Sequence, residues 1–435
     1  MLRLIDLRAT ELSPDLLDRV LPRAEFDVAA AIEQVKPLIE DVRQRGAAAL
    51  TEQAKRFDHV TPPHLDVPKE LWDQALEQLD RQVRRALEVG IERCAKVHAA
   101  QVPPDHQVTL DEGATVAQRW IPVERVGLYV PGGLAVYPSS VVMNVVPAQQ
   151  AGVDQLVVAS PAQAEHGGLP HPTILATCAL LGVDQVIAAG GAGAIAALAY
   201  GVESLVRPVD VITGPGNIWV AAAKRSVLGQ VGIDAEAGPT EIAIIADHTA
   251  NPDHLAADLV GQAEHDPLAA AVLITTSARL AERVDRATAA RAQATKHSAR
   301  VITALSGQAS GLVLVDTLEQ AVVVANRYAA EHLEIQTDHA RAVAGQIRHA
   351  GAIFVGHYSP VPLGDYLAGS NHVLPTGGTA RYASGLGVTA FLKSVQQVEY
   401  SAKALAQVAP LIQALATAED LPAHGEAVQA RQADG

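Results

Sequence analysis

Aromatic residues are scarce in this chain: four Phe, eight Tyr and three Trp make up 3% of its 435 residues. A core of this size must therefore be built mainly from Ala, Val, Leu and Ile. Cysteine is scarcer still. Cys94 and Cys178 are the only two, which excludes a disulfide framework and a cysteine-based zinc ribbon. Basic residues are outnumbered, 33 Lys and Arg against 48 Asp and Glu, giving a formal net charge of −15 with no basic stripe. Nucleic acid and anionic membrane need concentrated Lys and Arg, so neither is expected as a partner. No uninterrupted run of about 20 apolar residues occurs, so no membrane span is expected. The nearest stretch, residues 183–202, is broken by four glycines, Asp184 and Gln185. The opening residues lack a long apolar run after a basic end and do not read as a secretory signal. These absences, with 49% apolar and 19% charged residues, point to a compact, soluble, cytoplasmic protein of more than one domain.

Two helical stretches come first. Asp27 is a candidate cap for a helix over residues 30–57, and residues 69–101 repeat apolar positions at helical spacing. Cys94 lies late in the second stretch and Cys178 among apolar neighbours, where inert filler suits both better than a nucleophile. From about residue 111, Val/Ile-rich runs alternate with Ala-rich helical stretches. Strands are expected at 125–130, 155–160, 185–189 and 209–213, with helices at 141–151, 172–181 and 192–200. A second series begins near Glu241, with strands at 242–246, 271–275, 311–315, 332–335 and 352–355. Its helices fall at 253–264, 278–294, 318–328 and 339–349. Such alternation means βαβ units. The expected class is α/β, with two open, mostly parallel, Rossmann-like sheets flanked by helices. Small N- and C-terminal elements, helical over 395–418 and 421–431, read as an arm or interface.

Four constellations could do chemistry. Residues 364–378, GDYLAGSNHVLPTGG, hold Asp365, Asn371 and His372 in a Gly-rich loop with no helical or strand period. A carboxylate and an imidazole there suit a metal or proton-transfer site, although a solvated turn accounts for them equally well. In GQAEHDP, Gln262 and His265 stand three apart at a helix end and could share one metal ion, but Gln is an uncommon ligand. Glu331 and His332 lead into a strand, whereas function in α/β sheets favours the carboxyl ends of strands. Glu419 and His424 lie almost at the C-terminus, where a histidine is usually surface decoration.

Glycine-rich turns add phosphate cradles at 129–133, 188–198 and 213–220, each following an expected strand and opening a helix. In GGAGAIAAL, Gly191 and Gly193 fit the first two glycines of GxGxxG and Ala196 replaces the third. Asp210 has about the expected acidic spacing but starts a strand rather than ending one.

Taken together, these strings resemble the histidinol dehydrogenase family. The matches are YVPGGLAVYPSSVVMNVVPAQQAGV, GGAGAIAALAYG, TGPGN, AGPTEIAIIAD, QAEHDP, EHLEI, GDYLAGSNHVLPT and LPAHGEA, in family order from Tyr129 to Ala427. The resemblance implies a zinc-dependent, NAD-linked enzyme that oxidises L-histidinol through L-histidinaldehyde to L-histidine. It implies zinc held by Gln262, His265, Asp365 and His424, with substrate nitrogens completing the shell. Glu331 and His332 would be the acid–base pair. Thr240, His372 and Glu419 would line the substrate pocket together with the metal ligands and His332, and Tyr129 and Asn217 would contact NAD. A domain-swapped homodimer is also implied, with the C-terminal arm completing the partner's site. The corresponding division is 26–110 plus 239–380, 111–238, 1–25 plus 381–411, and an arm at 412–435. Two positions depart from the family. Gly193 stands where many members carry a Gln that contacts the cofactor, and Thr240 where Ser is usual. The competing readings are a paralogous zinc dehydrogenase of another small polar alcohol, and a silent metal-binding protein.

Overall fold

A computed structural model describes residues 1–24, 28–132, 136–235 and 238–432. Asp27, the expected helix cap, lies outside the described residues. Two all-parallel sheets organise the chain. The five-stranded sheet runs Gln185–Ala188, Gln155–Ser160, Arg125–Tyr129, Val211–Thr213, Gly232–Ile233 from edge to edge. The six-stranded sheet runs Arg3–Asp6, Gly311–Leu314, Ala270–Thr275, Glu241–Ala246, His332–Gln336, Ala352–Val355. Their central strands are almost wholly buried, which explains why they read as continuous Val/Ile/Ala runs rather than alternating ones. In each sheet the strand order reverses beside the first strand of its series, at Arg125–Tyr129 and at Glu241–Ala246.

Several elements depart from the expectations. Each of the two leading helices breaks once. Gly46, at φ +56°, separates Val28–Arg45 from Ala47–Phe57. Asp80 accepts from the Gln82 and Val83 amides and so starts Arg81–Ala99 as a new helix after Lys69–Gln78. The expected helix at 395–418 begins instead with a strand, Leu392–Tyr400, and turns helical only at Ala402–Ala418, which Ser401 caps. That strand pairs antiparallel with Ala114–Pro122, itself paired with His106–Asp111. A long-range ladder there overrides the local helical pattern. Residues 339–349 keep only Ala340–Ala344 as helix.

The helices between residues 28 and 99 pack on those of the five-stranded sheet and also touch residues 366–371. Val28–Arg45 presents Val28, Ala31, Val35, Ile39 and Val42 to the core formed with Ile195, Leu198 and Ala223 of the five-stranded sheet's helices. Lys69–Gln78 and Arg81–Ala99 pack likewise on Pro172–Leu181 and Pro138–Ala151. Arg3–Asp6 extends the six-stranded sheet, whereas 392–400 belongs to the small antiparallel one. The last helices, Ala402–Ala418 and Pro422–Gln432, pack on each other and leave Leu411 and Leu415 exposed.

Candidate active site

The carboxyl edge of the five-stranded sheet faces the amino edge of the six-stranded sheet across one cavity of about 1060 Å³. That volume is at the upper end for small-molecule sites. Tyr129 ends one strand beside the five-stranded sheet's switch point, and Asn217 follows its neighbour Val211–Thr213. Both line the cavity. Asn217 caps the helix Ile218–Val227, accepting from the Trp219 and Val220 amides, and buried Tyr129 accepts the Gly191 amide on its hydroxyl oxygen at 3.2 Å. Such a strand-to-helix crevice at a switch point suits a dinucleotide.

The other end of the cavity holds the titratable groups. Glu331 and His332 are buried where the chain enters the strand His332–Gln336. Glu331 Oε2 accepts from the Thr240 hydroxyl at 2.6 Å and the Glu241 amide at 2.9 Å. Gln262 Nε2 in turn donates to Thr240 Oγ1 at 2.6 Å, so a chain of three polar groups fixes the carboxylate. Burial pushes the Glu331 carboxyl up to about 7, against these two donors. Its Oε2 lies 3.5 Å from His332 Nδ1, and neither ring nitrogen of His332 has a well-formed hydrogen bond. Burial lowers the His332 pKa, which keeps the ring neutral and able to take a proton.

The opposite wall comes from the loop around Asp365. The short helix Val361–Tyr366 carries Asp365 to the cavity, so this end of the expected loop is helical. Gly364 permits the approach: a Cβ there would lie 2.6 Å from the Phe354 ring, which itself rests 6.1 Å from His332. Burial raises Asp365 to about 6, with His332 opposing the shift. His265 sits in the turn after the helix Pro252–Ala263, stacked with Tyr137, and burial lowers its pKa. His372 is tied at both nitrogens, to the Asp365 carbonyl at 3.1 Å and Ser140 Oγ at 3.2 Å. The carbonyl can only accept, so Nδ1 carries the proton and Nε2 accepts from Ser140. Burial pushes the ring down to about 4. Asn371 braces the loop by donating to Met143 O and accepting the Val373 amide.

Thr240, His265, Glu331, His332, Asp365 and His372 therefore share one cavity with Tyr129 and Asn217, and Gln262 reaches it through Thr240. Glu419 and His424 do not join them: both are exposed, near the end of the arm. Among the described residues no three His, Cys, Asp or Glu side chains converge as a metal site. Neutral His265, the Asp365 carboxylate and the fixed amide of Gln262 nevertheless form a nitrogen-and-oxygen donor set of the kind that zinc accepts, one ligand short of four. Sequence reasoning missed Ser140, Tyr137 and Glu241. The first two lie inside the YPSS string, and Glu241 follows Thr240, but nothing local marks them as neighbours of His372, His265 and Glu331.

A histidinol dehydrogenase family model matches residues 21–432. A histidinol dehydrogenase from Thermobifida fusca is 60% identical over 427 residues, covering 98% of this chain and 97% of that one. One from Mycolicibacterium smegmatis is 60% identical over 431 residues, with the same coverage. The crystal structure of histidinol dehydrogenase from Elizabethkingia anophelis matches at TM-score 0.91 and 30% identity, over 100% of this chain and 98% of that one. The chain belongs to the histidinol dehydrogenase family.

Proposed function

We propose that this chain is a cytoplasmic, NAD-dependent dehydrogenase that oxidises L-histidinol through L-histidinaldehyde to L-histidine. The observation that carries this reading is the buried Glu331–His332 pair, at one end of a cavity whose other end is a dinucleotide crevice. In the first step neutral His332 takes the hydroxyl proton while the carbon-bound hydrogen leaves as hydride to NAD. Water then adds to the aldehyde, with Glu331 as the base that takes its proton. His332 returns its proton to the aldehyde oxygen as the hydrate forms. Once Glu331 has released the water proton to solvent, it takes a hydrate hydroxyl proton while the second hydride leaves to a second NAD. Tyr129 and Asn217 hold the cofactor. Thr240 and His372 belong to the substrate pocket, with Thr240 also orienting Glu331, and Glu419 would complete the pocket of a second copy of the chain. Cys94 and Cys178 are buried and play no part, so no thioester-type intermediate is involved.

Gln262, His265 and Asp365 would hold zinc, with His424 supplied by a second copy of the chain in a homodimer. When bound, zinc supplies a positive charge that fixes the substrate's amine and imidazole nitrogens. The exposed arm with Leu411, Leu415 and His424 supports that exchange.

Purified full-length protein with zinc is expected to form two NADH per L-histidinol. Activity should fall with chelator and return with added zinc. Absence of NADH from histidinol, or stronger turnover of another small amino alcohol, would overturn the reading.

A further inference from the structure

The helix Ala47–Phe57 forms a wall of the dinucleotide end of the cavity, and Gln53 on its inner side is 92% buried, at 8% exposure. Its carboxamide is fixed, because Nε2 donates to the Leu38 carbonyl at 3.0 Å. The carboxamide oxygen is left over: among the described residues no donor reaches it. It is directed at the first turn of the helix Gly191–Tyr200. A Cβ built on Gly193 would lie 2.6 Å from Gln53 Oε1 and 3.2 Å from Leu50 Cδ2. The absence of a side chain at 193 is therefore what admits Gln53 to the turn. Gly191, Gly193 and Gln53 line the same cavity as Tyr129 and Asn217.

Gln53 lines the cavity and its carboxamide oxygen has no donor among the described residues, so a ligand bound there can supply one. We propose that Gln53 is a cofactor-binding residue, paired with Gly193, whose carboxamide oxygen accepts a hydrogen bond from NAD. The assignment rests on the dehydrogenase reading above. A dinucleotide carries donors on its carboxamide, its adenine amine and its ribose hydroxyls, and the turn at 190–193 is where the crevice brings such a ligand against backbone. The departure at Gly193 is then not a lost contact. A carboxamide from another helix occupies the space a side chain at 193 would fill.

The test uses the full-length, zinc-supplemented protein and NADH as probe, read by energy transfer from tryptophan, since Trp219 lines the cavity. Gln53→Leu removes the acceptor at similar volume and is expected to weaken NADH binding by about five- to tenfold. The histidinol KM at saturating NAD should stay within about twofold, with the loss appearing in the KM for NAD. Gly193→Ala should weaken binding at least as much in the parent. In a Gln53→Ala background, where the methyl group meets only the flexible Leu50 side chain at 3.2 Å, it should add much less. If Gln53→Leu does not fold, Gln53→Met is judged by the same criterion. A structural role alone would lower the melting temperature and leave NADH binding unchanged. That result, or a Gly193→Ala loss of equal size in both backgrounds, overturns the proposal. A parent that binds no NADH would instead overturn the dehydrogenase reading, and this assignment with it.

Discussion

The cavity-lining turn at residues 213–217 rests on a buried ion pair, and breaking that pair should be costly. Lys224 and Asp234 form it with side chains only 2% and 5% exposed. Lys224 Nζ also donates to the carbonyls of Gly214 and Ala235, each at 3.0 Å, and Asp234 Oδ2 accepts the Gly214 amide at 2.8 Å. Asp234→Ala would leave the ammonium buried without its counter-charge and the Gly214 amide without its acceptor. Removing one partner of a buried pair costs about 3–5 kcal/mol. For a folding unit of roughly 150–250 residues, at about 2–4 °C per kcal/mol, the melting temperature should fall by about 6–20 °C. Lys224→Met with Asp234→Asn removes both charges and keeps an acceptor for Gly214. The double variant should lie within about 1–3 kcal/mol of the parent, reflecting the hydrogen bonds lost at the Gly214 and Ala235 carbonyls. Thermal unfolding followed by far-UV circular dichroism measures both. A single variant melting within about 2 °C of the parent would refute the reasoning. So would a double variant as damaged as the single, because the loss would then not come from an uncompensated charge.

The two members of the acid–base pair should fail differently. His332→Ala is expected to slow histidinol oxidation by about 10²–10⁴-fold and spare aldehyde oxidation more, whereas Glu331→Ala should do the reverse. Equal defects on both substrates would count against the division of labour. Burial raises Glu331 to about 7, so its base form grows as pH rises through 7, and parent aldehyde turnover should rise with it. A flat profile from pH 6 to 8 would argue for another base. Burial pushes the Cys94 thiol up to about 12 and raises Cys178 as well, and both are inaccessible. A thiol reagent should therefore titrate no cysteine in the native enzyme and two after denaturation. Rapid native labelling accompanied by inactivation would contradict their inert placement.

The α/β class was legible because buried parallel strands leave continuous apolar runs, and 155–160, 172–181, 278–294 and 318–328 coincide with their elements to the residue. Boundaries failed where a distant partner decided them. Residues 392–400 carry a pattern compatible with helix, and only the ladder with Ala114–Pro122 makes them a strand. Arg3–Asp6 is four residues long, and its identity as a strand depends on Gly311–Leu314 alongside it.

Sequence by itself determined which chemical groups this protein owns and the strings in which they occur: the Gln262–His265 turn, the Glu331–His332 pair and the Asp365–His372 loop. Local signals also marked the glycine-rich turns at 129–133 and 213–220, but only the family resemblance singled out Tyr129 and Asn217 within them. Tertiary structure alone decided which of them meet. The general rule for α/β sheets favours carboxyl ends, yet Thr240, Glu331 and His332 stand at the amino ends of their strands. They reach the cavity because that edge is turned toward the carboxyl edge of the other sheet. The same packing gives Gln53 its place beside Gly193, 140 positions away in the chain, and leaves Glu419 and His424 outside. Local sequence encodes backbone preference and side-chain chemistry, whereas proximity follows from how separately folded sheets and helices bury their apolar faces together.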